Sequence, residues 1–303
     1  NRTEDAARID IGDCRLAFST DSYVVDPIFF PGGDIGELAV NGTVNDLCMS
    51  GARPLFLSVG FILEEGFALE DLQRVVTSMR RAADCAGVTI SAGDTKVVNR
   101  GKADKIFINT AGIGVLNRPF LVAPQRITPG DQVILSGPIA DHGVAVLSRR
   151  EGLSFEGEIE SDTAPLNRLA ETILESGGEG IHAMRDPTRG GLAAALNEFA
   201  EAAGVGIEIR EKSIPVNDPV AGACELLGLD PLYVANEGKL VAVVAPEVAS
   251  RVLEEMRRNP LGQDAVVIGE VAPRRRPLVS MKTRIGGMRI VDMLVGEQLP
   301  RIC

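Results

Sequence analysis

The sequence predicts two domains that each mix strands and helices, of the α+β kind rather than one doubly wound sheet. The chain has 303 residues, 45% of them apolar, and strand-like and helix-like patterns alternate in both halves. Residues 117–130 contain three prolines and a polar turn, which is typical of a domain boundary.

The first half contains four stretches with the alternation and the β-branched or aromatic content of strands. They are residues 15–19, 55–63, 88–92 and 105–114. Helices are predicted between them at residues 35–49 and 69–85. Asp34 and Glu37 form a capping-box pattern before the first helix, and Gly87 ends the second.

The second half repeats this mixture after the proline-rich segment. Strands are predicted at residues 132–135, 207–210, 239–244, 266–271 and 277–282. Helices are predicted at residues 143–150, 166–175, 191–203, 220–227 and 247–258.

The overall charge excludes one class of partner. The net charge is -11 and the pI is about 4.9, so most of the surface repels DNA and RNA. The sequence has no apolar run of about 18 residues that could span a bilayer, and its first residues are polar and acidic, unlike a signal peptide. We therefore expect a cytoplasmic protein with neither a nucleic-acid nor a membrane partner.

The five cysteines are widely spaced and form no CxxC pair, and only two histidines occur. This pattern argues against a disulfide framework and against zinc, so any metal is expected to be a hard cation held by carboxylates. Cys14, Cys48, Cys85 and Cys224 lie in apolar or helical settings, which predicts core or half-buried positions.

Four carboxylates of the first half, Asp5, Asp21, Asp46 and Asp94, form the first candidate site. Asp21 and Asp94 are expected to follow strands directly, which would bring their side chains to the ends of a sheet. Such a cluster suits Mg²⁺ bridged to a triphosphate. Each aspartate alone could equally cap a helix or a turn.

Five further candidates each have a structural alternative. Gly32 and Gly33 precede a helix N-terminus that could bind an anion, although glycines before helices are common. Arg189 could clamp a phosphate or simply lie exposed. Lys96 could neutralise phosphate charge and Glu237 could be a general base, but both also fit solvated turns.

Cys303, the last residue, is the least ordinary feature of the sequence. It is expected to be exposed by position, and exposed thiols are prone to oxidation. From Gly296 the tail can extend at most about 26 Å at 3.3 Å per residue, and no residues follow the cysteine as a prenylation motif requires. We predict a flexible tail that carries a working thiol; an accidental terminal cysteine is the alternative.

These segments together resemble the HypE family of hydrogenase maturation proteins. The resemblance runs over residues 5–303 and includes TEDAA, TDSYVVDPIFFPGGDIG, GTVNDL, ILEEGF, GDTKVV, DPTRGGL, ANEGKL and PRIC. The Asp-rich loops are shared with aminoimidazole ribonucleotide synthetase, selenophosphate synthetase and thiamine monophosphate kinase. The PRIC ending is specific to the HypE family.

The resemblance implies a PurM-like fold of two α/β domains. Residues 1–118 would bind ATP and pair across a homodimer into a shared β-barrel, residues 119–291 would form the second domain, and residues 292–303 a flexible tail. The implied activity is ATP-dependent dehydration of a carbamoylated terminal cysteine to a thiocyanate, which makes the cyanide ligand of nickel–iron hydrogenases. The implied partners are HypF as carbamoyl donor and a HypC–HypD complex as cyanide acceptor.

The same resemblance assigns roles to the candidate residues. Mg²⁺ would be held by Asp5, Asp21, Asp46 and Asp94, and ATP by these residues together with Asn45, Gly32, Gly33 and Arg189. Lys96 and Glu237 would lie beside the thiocarboxamide on Cys303, with Glu237 accepting the N–H proton. The chain departs from many relatives at Glu37, where they carry lysine, so one possible phosphate contact is missing.

Two other functions remain open at this point. The chain could be another ATP-dependent enzyme of the superfamily, of the selenophosphate or aminoimidazole ribonucleotide synthetase type, which acts on a free small molecule and does not need the tail. It could also be a non-catalytic docking protein, which would hydrolyse no ATP even with a carbamoylated cysteine.

Overall fold

The structure is a computed structural model that describes residues 5–155, 157–274, 276–294, 296 and 301–303. Fourteen strands and seven α-helices occur within these residues. The expected flexible tail, residues 292–303, lies partly outside them, at residues 295 and 297–300.

The first domain is a five-stranded sheet whose inner face is covered by two helices. In chain order its elements are strands β1 (Ala7–Ile11) and β2 (Cys14–Tyr23), the short hairpin β3 (Phe29–Phe30) and β4 (Gly33–Asp34), helix α1 (Ile35–Met49), strand β5 (Arg53–Glu64), helix α2 (Leu69–Ala86), and strands β6 (Thr89–Val98) and β7 (Ile106–Val115). The sheet order is β1-β2-β7-β5-β6, with only β5 and β6 parallel.

The second domain is a seven-stranded sheet with helices on both faces. Its elements are β8 (Gln132–Leu135), α3 (Asp141–Glu151), α4 (Asn167–Gly177), β9 (Ile181–Arg185), α5 (Gly191–Ala203), β10 (Gly206–Arg210), α6 (Asp218–Leu227), β11 (Val241–Val244), α7 (Pro246–Arg258), β12 (Val266–Ala272), β13 (Leu278–Lys282) and β14 (Met288–Ile290). The strand order is β14-β13-β10-β12-β8-β11-β9.

Period-2 alternation gives this second sheet two cores. Val133 and Leu135 pack in the cluster that includes α5, whereas Ile134 packs in the cluster of α4 and α7. Successive side chains of a strand point to opposite faces, so one short apolar strand serves both clusters. This explains why residues 133–135 of β8 are apolar without interruption.

Helix α1 lies at the junction of the two domains, and almost its whole length is buried. Asp34 caps it as predicted: Oδ1 accepts the backbone N–H of Gly36 at 2.7 Å and of Glu37 at 3.2 Å. The Glu37 side chain forms an ion pair with Arg81 at 3.4 Å. The cap satisfies two of the free amides at the helix N-terminus.

The predicted positions of two aspartates at strand ends are wrong. Strand β2 continues to Tyr23 and β6 to Val98, so Asp21 and Asp94 lie within strands. Aspartate is disfavoured in strands, which made both strands look shorter than they are. Strands β1, β9 and β14 and the β3–β4 hairpin were not predicted, because they are short or contain charged, histidine or methionine residues.

Burial of the cysteines follows the face of the helix or strand on which each lies rather than local composition. Cys48 and Cys224 are buried as predicted, but Cys14 and Cys85 are exposed, so the prediction for these two is wrong. Cys85 follows buried residues of α2 but points away from the core. No helix among the described residues combines the length and apolar character that crossing a bilayer requires.

Candidate active site at the domain junction

Three carboxylates from separate parts of the chain converge where the domains meet. Asp5 precedes β1, Asp46 lies on α1, and Asp186 follows β9. One oxygen of each lies within 4.8 Å of the others. Arg185 forms an ion pair with Asp5 at 3.0 Å, and the Ser19 hydroxyl donates to Asp46 at 2.6 Å.

Burial makes this cluster costly to ionise. It raises the pKa of Asp46 well above its ordinary value, and the charges of Asp186 and Asp5 raise that pKa further. Burial also raises the pKa of Asp186 to about 6, although Arg185 opposes the shift. Like charges in a buried site destabilise one another unless a cation lies between them.

Glu237 is buried against the same junction. Asp162 accepts hydrogen bonds from the backbone N–H of Glu237 at 3.0 Å and of Gly238 at 3.3 Å, and Asp162 is itself paired with Lys239 at 3.3 Å. Burial raises the pKa of Glu237 well above its ordinary value, and the charges of Asp186 and Asp162 add to this. Its Oε1 atom has no hydrogen-bond partner among the described residues.

The end of the chain is docked onto the first domain rather than exposed. The backbone N–H groups of Val24 and Asp26 donate to the carbonyls of Cys303 and Arg301, each at 3.2 Å. The Ile302 side chain, 4% exposed, packs in the core around α1. The predicted exposure of the terminal thiol is wrong, because backbone pairing and one apolar side chain anchor the last three residues.

The Cys303 thiol lies beside the Arg189 guanidinium and within electrostatic reach of the Glu237 carboxyl group. Burial and the charge of Glu237 raise its pKa to about 12, and Arg189 opposes this shift. The Arg189 guanidinium lies 3.9 Å from the sulfur, so this predicted residue reaches the site. At neutral pH the docked thiol is protonated and therefore a poor nucleophile.

Asp21 approaches the site from the inner face of the first sheet. Its partners across the sheet, Thr110 and Val59, are buried beneath α1. Burial raises the pKa of Asp21, and Arg189 acts in the opposite direction. Its side chain is not one of the three that converge within 4.8 Å.

Asp94 and Lys96 lie elsewhere on the same sheet. Asp94 shares a row with Gly60, Asn109 and Ser22, and this row is offset by one residue from that of Asp21, so the two aspartates point to opposite faces. Three strand spacings, about 14 Å, separate Asp94 from Ser22. Lys96 pairs with Asp94 at 2.6 Å, and both side chains are 70% exposed.

The structure gives the predicted glycines a packing role. A Cβ atom on Gly32 would lie 2.6 Å from the backbone N of Ser161, and one on Gly33 would lie 2.9 Å from a methyl carbon of Thr163. Both glycines therefore let the second domain approach closely. The helix N-terminus behind them is already capped by the Asp34 carboxylate, which repels an anion.

Asn45 connects α1 to the second domain. Its amide nitrogen donates to the carbonyls of Ala164 and Glu237 at 3.1 and 3.3 Å, and its oxygen accepts the N–H of Leu166 at 2.8 Å. The side chain is fully buried. Asn45 thus helps to hold Glu237 in place.

Two site residues were not found from the sequence. Asp186 stands in the DPTRGGL motif directly after a strand, which is the signal used for Asp21, but β9 was not recognised. Asp162, which positions Glu237, lies in a segment without regular structure. No sequence pattern marked it as a site residue.

Comparison with known proteins supports the same fold and family. Residues 3–116 match the N-terminal domain and residues 128–282 the C-terminal domain of the AIR synthase related protein family. The carbamoyl dehydratase HypE of Bradyrhizobium diazoefficiens is 55% identical over 302 residues, which is all of this chain and 87% of the relative. This chain belongs to the HypE family. The predicted two-domain, PurM-like fold is confirmed.

Two solved structures extend the comparison. A HypE–HypF complex contains a chain with 51% identity and a TM-score of 0.92, covering 97% of this chain and 96% of that one. A HypE in complex with ATP has the same identity and TM-score and covers all of this chain and 92% of that one. The bound ATP and the HypF partner belong to the structures of these relatives.

Proposed function

We propose that this chain is an ATP-dependent carbamoyl dehydratase that converts a carboxamide on Cys303 into a thiocyanate. The observation that carries the proposal is the docked Cys303 thiol, which lies 3.9 Å from Arg189 and within electrostatic reach of Glu237, at the domain junction where three carboxylates converge. The naming of its relatives as carbamoyl dehydratases and the ATP complex of one of them support it.

The reaction removes one water from the thiocarboxamide. The carboxamide oxygen is a poor leaving group, but it departs as phosphate after it has attacked the γ-phosphorus of ATP and released ADP. Both N–H protons are lost, and carbon becomes triply bonded to nitrogen. Phosphoryl transfer depends mainly on positioning and charge neutralisation, which fits a site built from acids, Arg189 and a tethered substrate.

Glu237 is the base in this proposal. Its free Oε1 atom can accept the N–H of the carboxamide, and a raised pKa makes a carboxylate a stronger base near neutral pH. Asn45 and Asp162 hold its backbone. The Glu237 backbone is therefore fixed at the domain junction.

A magnesium ion fits the acid cluster. Asp5, Asp46 and Asp186 offer three oxygens close together, and two of these groups have a raised pKa because of burial and mutual repulsion. Such oxygens are the ligands that Mg²⁺ prefers, and when bound the ion would neutralise triphosphate charge. Asp186 joins Asp5 and Asp46 as a proposed ligand, and Asp21 stands next to them for the nucleotide.

The other residues proposed for the nucleotide would contribute in different ways. Arg189 is well placed for a phosphate because it already lies next to the sulfur. Gly32, Gly33 and Asn45 support the site by packing, as their contacts indicate. Asp94 and Lys96 would have to act from an exposed edge strand.

A homodimer would cover that edge. Strand β6 is exposed along nearly its whole length, with Ile90 37% and Val97 67% exposed, and the neighbouring Phe56 is 49% exposed. Long apolar edge strands are usually protected by pairing. We propose that two copies pair through this sheet, as the family's shared barrel implies.

Loading and unloading need the tail in another position. A docked, half-buried thiol with a pKa of about 12 reacts slowly, so we propose that HypF carbamoylates Cys303 while the tail is undocked. A solved HypE–HypF complex supports this partner. The HypC–HypD complex is proposed as cyanide acceptor because the resemblance to the HypE family implies it, and the thiocyanate must be consumed by a cyanide-accepting centre.

Intact-protein mass spectrometry tests the proposal. After carbamoylation by HypF, the protein should lose the mass of one water only when ATP and Mg²⁺ are both present. Cys303→Ala should gain no carbamoyl group, whereas Cys85→Ala should behave like the wild type because that exposed thiol lies on the outer side of α2.

The same measurement separates the rival functions. A carbamoylated protein that keeps its mass and hydrolyses no ATP would refute the dehydratase and favour a docking protein. ATP turnover that persists after deletion of residues 301–303 would favour an enzyme acting on a free small molecule.

A further inference from the structure

A buried histidine of the second domain contacts the docked tail. His142 lies in the first turn of α3 and is fully buried. Its Nε2 atom is 2.8 Å from the carbonyl oxygen of Ile302, and its Nδ1 atom is 2.7 Å from the Ser161 hydroxyl. Phe30 packs edge-on against the ring, with the ring centroids 5.4 Å apart.

The hydrogen-bond partners determine the tautomer of this ring. A carbonyl oxygen can only accept, so Nε2 carries the hydrogen and donates it to Ile302. Nδ1 then accepts from the Ser161 hydroxyl, whose oxygen accepts the N–H of Thr163 at 3.2 Å. Burial lowers the pKa of His142, which favours this neutral form. A continuous chain of hydrogen bonds thus runs from the second domain to the tail.

The start of α3 is also bonded to the segment that precedes Glu237. The N–H of Gly143 donates to the carbonyl of Ala235 at 3.1 Å, and the N–H of Ala140 donates to the Asn236 side chain at 2.7 Å. His142 lies between these two bonds in sequence. Its position relative to Glu237 is therefore fixed by the backbone.

We propose that His142, oriented by Ser161, is a positioning residue that holds the Ile302 carbonyl so that the Cys303 sulfur stays beside Glu237. The role of Glu237 rests on the proposed function. Because the contact is made to a backbone carbonyl, it is the same whether the sulfur carries hydrogen, a carboxamide or a cyano group. The contact holds the backbone of the tail and does not involve the group on the sulfur, which stays free to react.

The rate at which iodoacetamide alkylates Cys303 reports how often the tail undocks. Peptide mass mapping distinguishes Cys303 from the exposed Cys14 and Cys85. Ile302→Ala serves as positive control, since it removes the apolar anchor, and His182→Gln is the matched control, since His182 is the other histidine and bonds to Asp131 at 2.6 Å away from the tail.

His142→Ala should raise the alkylation rate of Cys303 about tenfold, as expected for loss of one buried hydrogen bond and its packing. His142→Gln, which retains an N–H donor, should recover most of the protection. Ser161→Ala should give an increase of about threefold, because the ring is no longer oriented. His182→Gln should match the wild type.

Turnover distinguishes positioning from general stability. In His142→Ala, kcat for ATP-dependent water loss should fall about tenfold with KM for ATP unchanged, and glutamine should restore kcat in part. If Ile302→Ala exposes the thiol but His142→Ala and Ser161→Ala do not, the proposal is overturned. Should His142→Ala not fold, Ser161→Ala decides alone.

The two proposals can fail separately. If the wild type shows no ATP-dependent water loss while the alkylation series behaves as expected, the dehydratase assignment fails and the role of His142 in tail docking stands.

Discussion

The molecule carries two sets of acids that looked equivalent in the sequence and that the structure separates. Asp46 and Asp186 are enclosed at the domain junction, where burial raises the pKa of both. Asp94 projects from the opposite face of the first sheet, where its hydrogen bond with Lys96 lowers its pKa. The same side chain is thus costly to ionise in one place and stabilised as the carboxylate in the other.

The difference shows what turns a carboxylate into a metal ligand. An exposed acid is stabilised by water and a nearby lysine, so it gains little from a cation. Burial of several carboxylates makes their ionisation unfavourable, and a bound cation offsets this desolvation and repulsion. Three tests follow, from the largest expected effect to the smallest.

Glu237→Gln should slow ATP-dependent water loss by about 10²- to 10⁴-fold, because a general base is removed. The wild-type rate should rise with pH above the ordinary glutamate range, since the raised pKa keeps Glu237 protonated at lower pH and the base must be ionised. Mass spectrometry of carbamoylated protein at several pH values measures both effects. A glutamine variant with a wild-type rate would remove Glu237 from the mechanism.

Asp186→Asn should flatten the pH dependence of stability measured without metal. The pKa of this carboxyl group rises from 3.8 to about 6 on folding. The group therefore does not destabilise the folded state below pH 3.8, and it does so progressively as the pH rises to about 6. Between about pH 4.5 and about pH 7.5 the wild type should lose about 2 kcal/mol more than the variant. Urea unfolding in the presence of a chelator measures the difference, and equal losses would contradict the buried cluster.

Mg²⁺ should stabilise the wild type through the buried cluster. At about 100 times its dissociation constant, a ligand adds about 2.7 kcal/mol to the free energy of unfolding. Asp46→Asn should lose most of this gain, whereas Asp94→Asn should keep it, because Asp94 lies on the other face of the sheet. Thermal unfolding with and without Mg²⁺ compares them. Loss of the gain in Asp94→Asn would place its carboxylate at the ion after all, contributed by a second copy.

Several parts of the site could be predicted from residues alone. Asp5 and Asp46 belong to the cluster, Asp34 caps α1, and Arg189 reaches the sulfur of Cys303. Residue type and motif were sufficient for these four: Asp34 and Arg189 precede helices, Asp5 precedes a strand, and Asp46 lies within α1. Asp186 was not predicted as a site residue because the strand before it contains histidine and methionine, which obscure the alternation of apolar and polar residues.

The docked tail could not be predicted in this way. The polarity of the residues before Cys303 suggested an end without an anchor, yet Ile302 alone fills a place in the first core. Its anchoring also depends on backbone amides of residues 24 and 26, which are far away in the sequence. No local sequence pattern indicates that these backbone amides donate hydrogen bonds to the far end of the chain.

The sequence by itself determined the two-domain organisation, most helices and the chemical types of the functional side chains, because hydrophobic periodicity and turn residues act over short distances. Only the tertiary structure decided which acids share a site, since one residue of register in a strand moves a side chain to the other face of the sheet. It also decided that Cys303 docks within electrostatic reach of Glu237, because that position depends on how two domains and a chain end pack together.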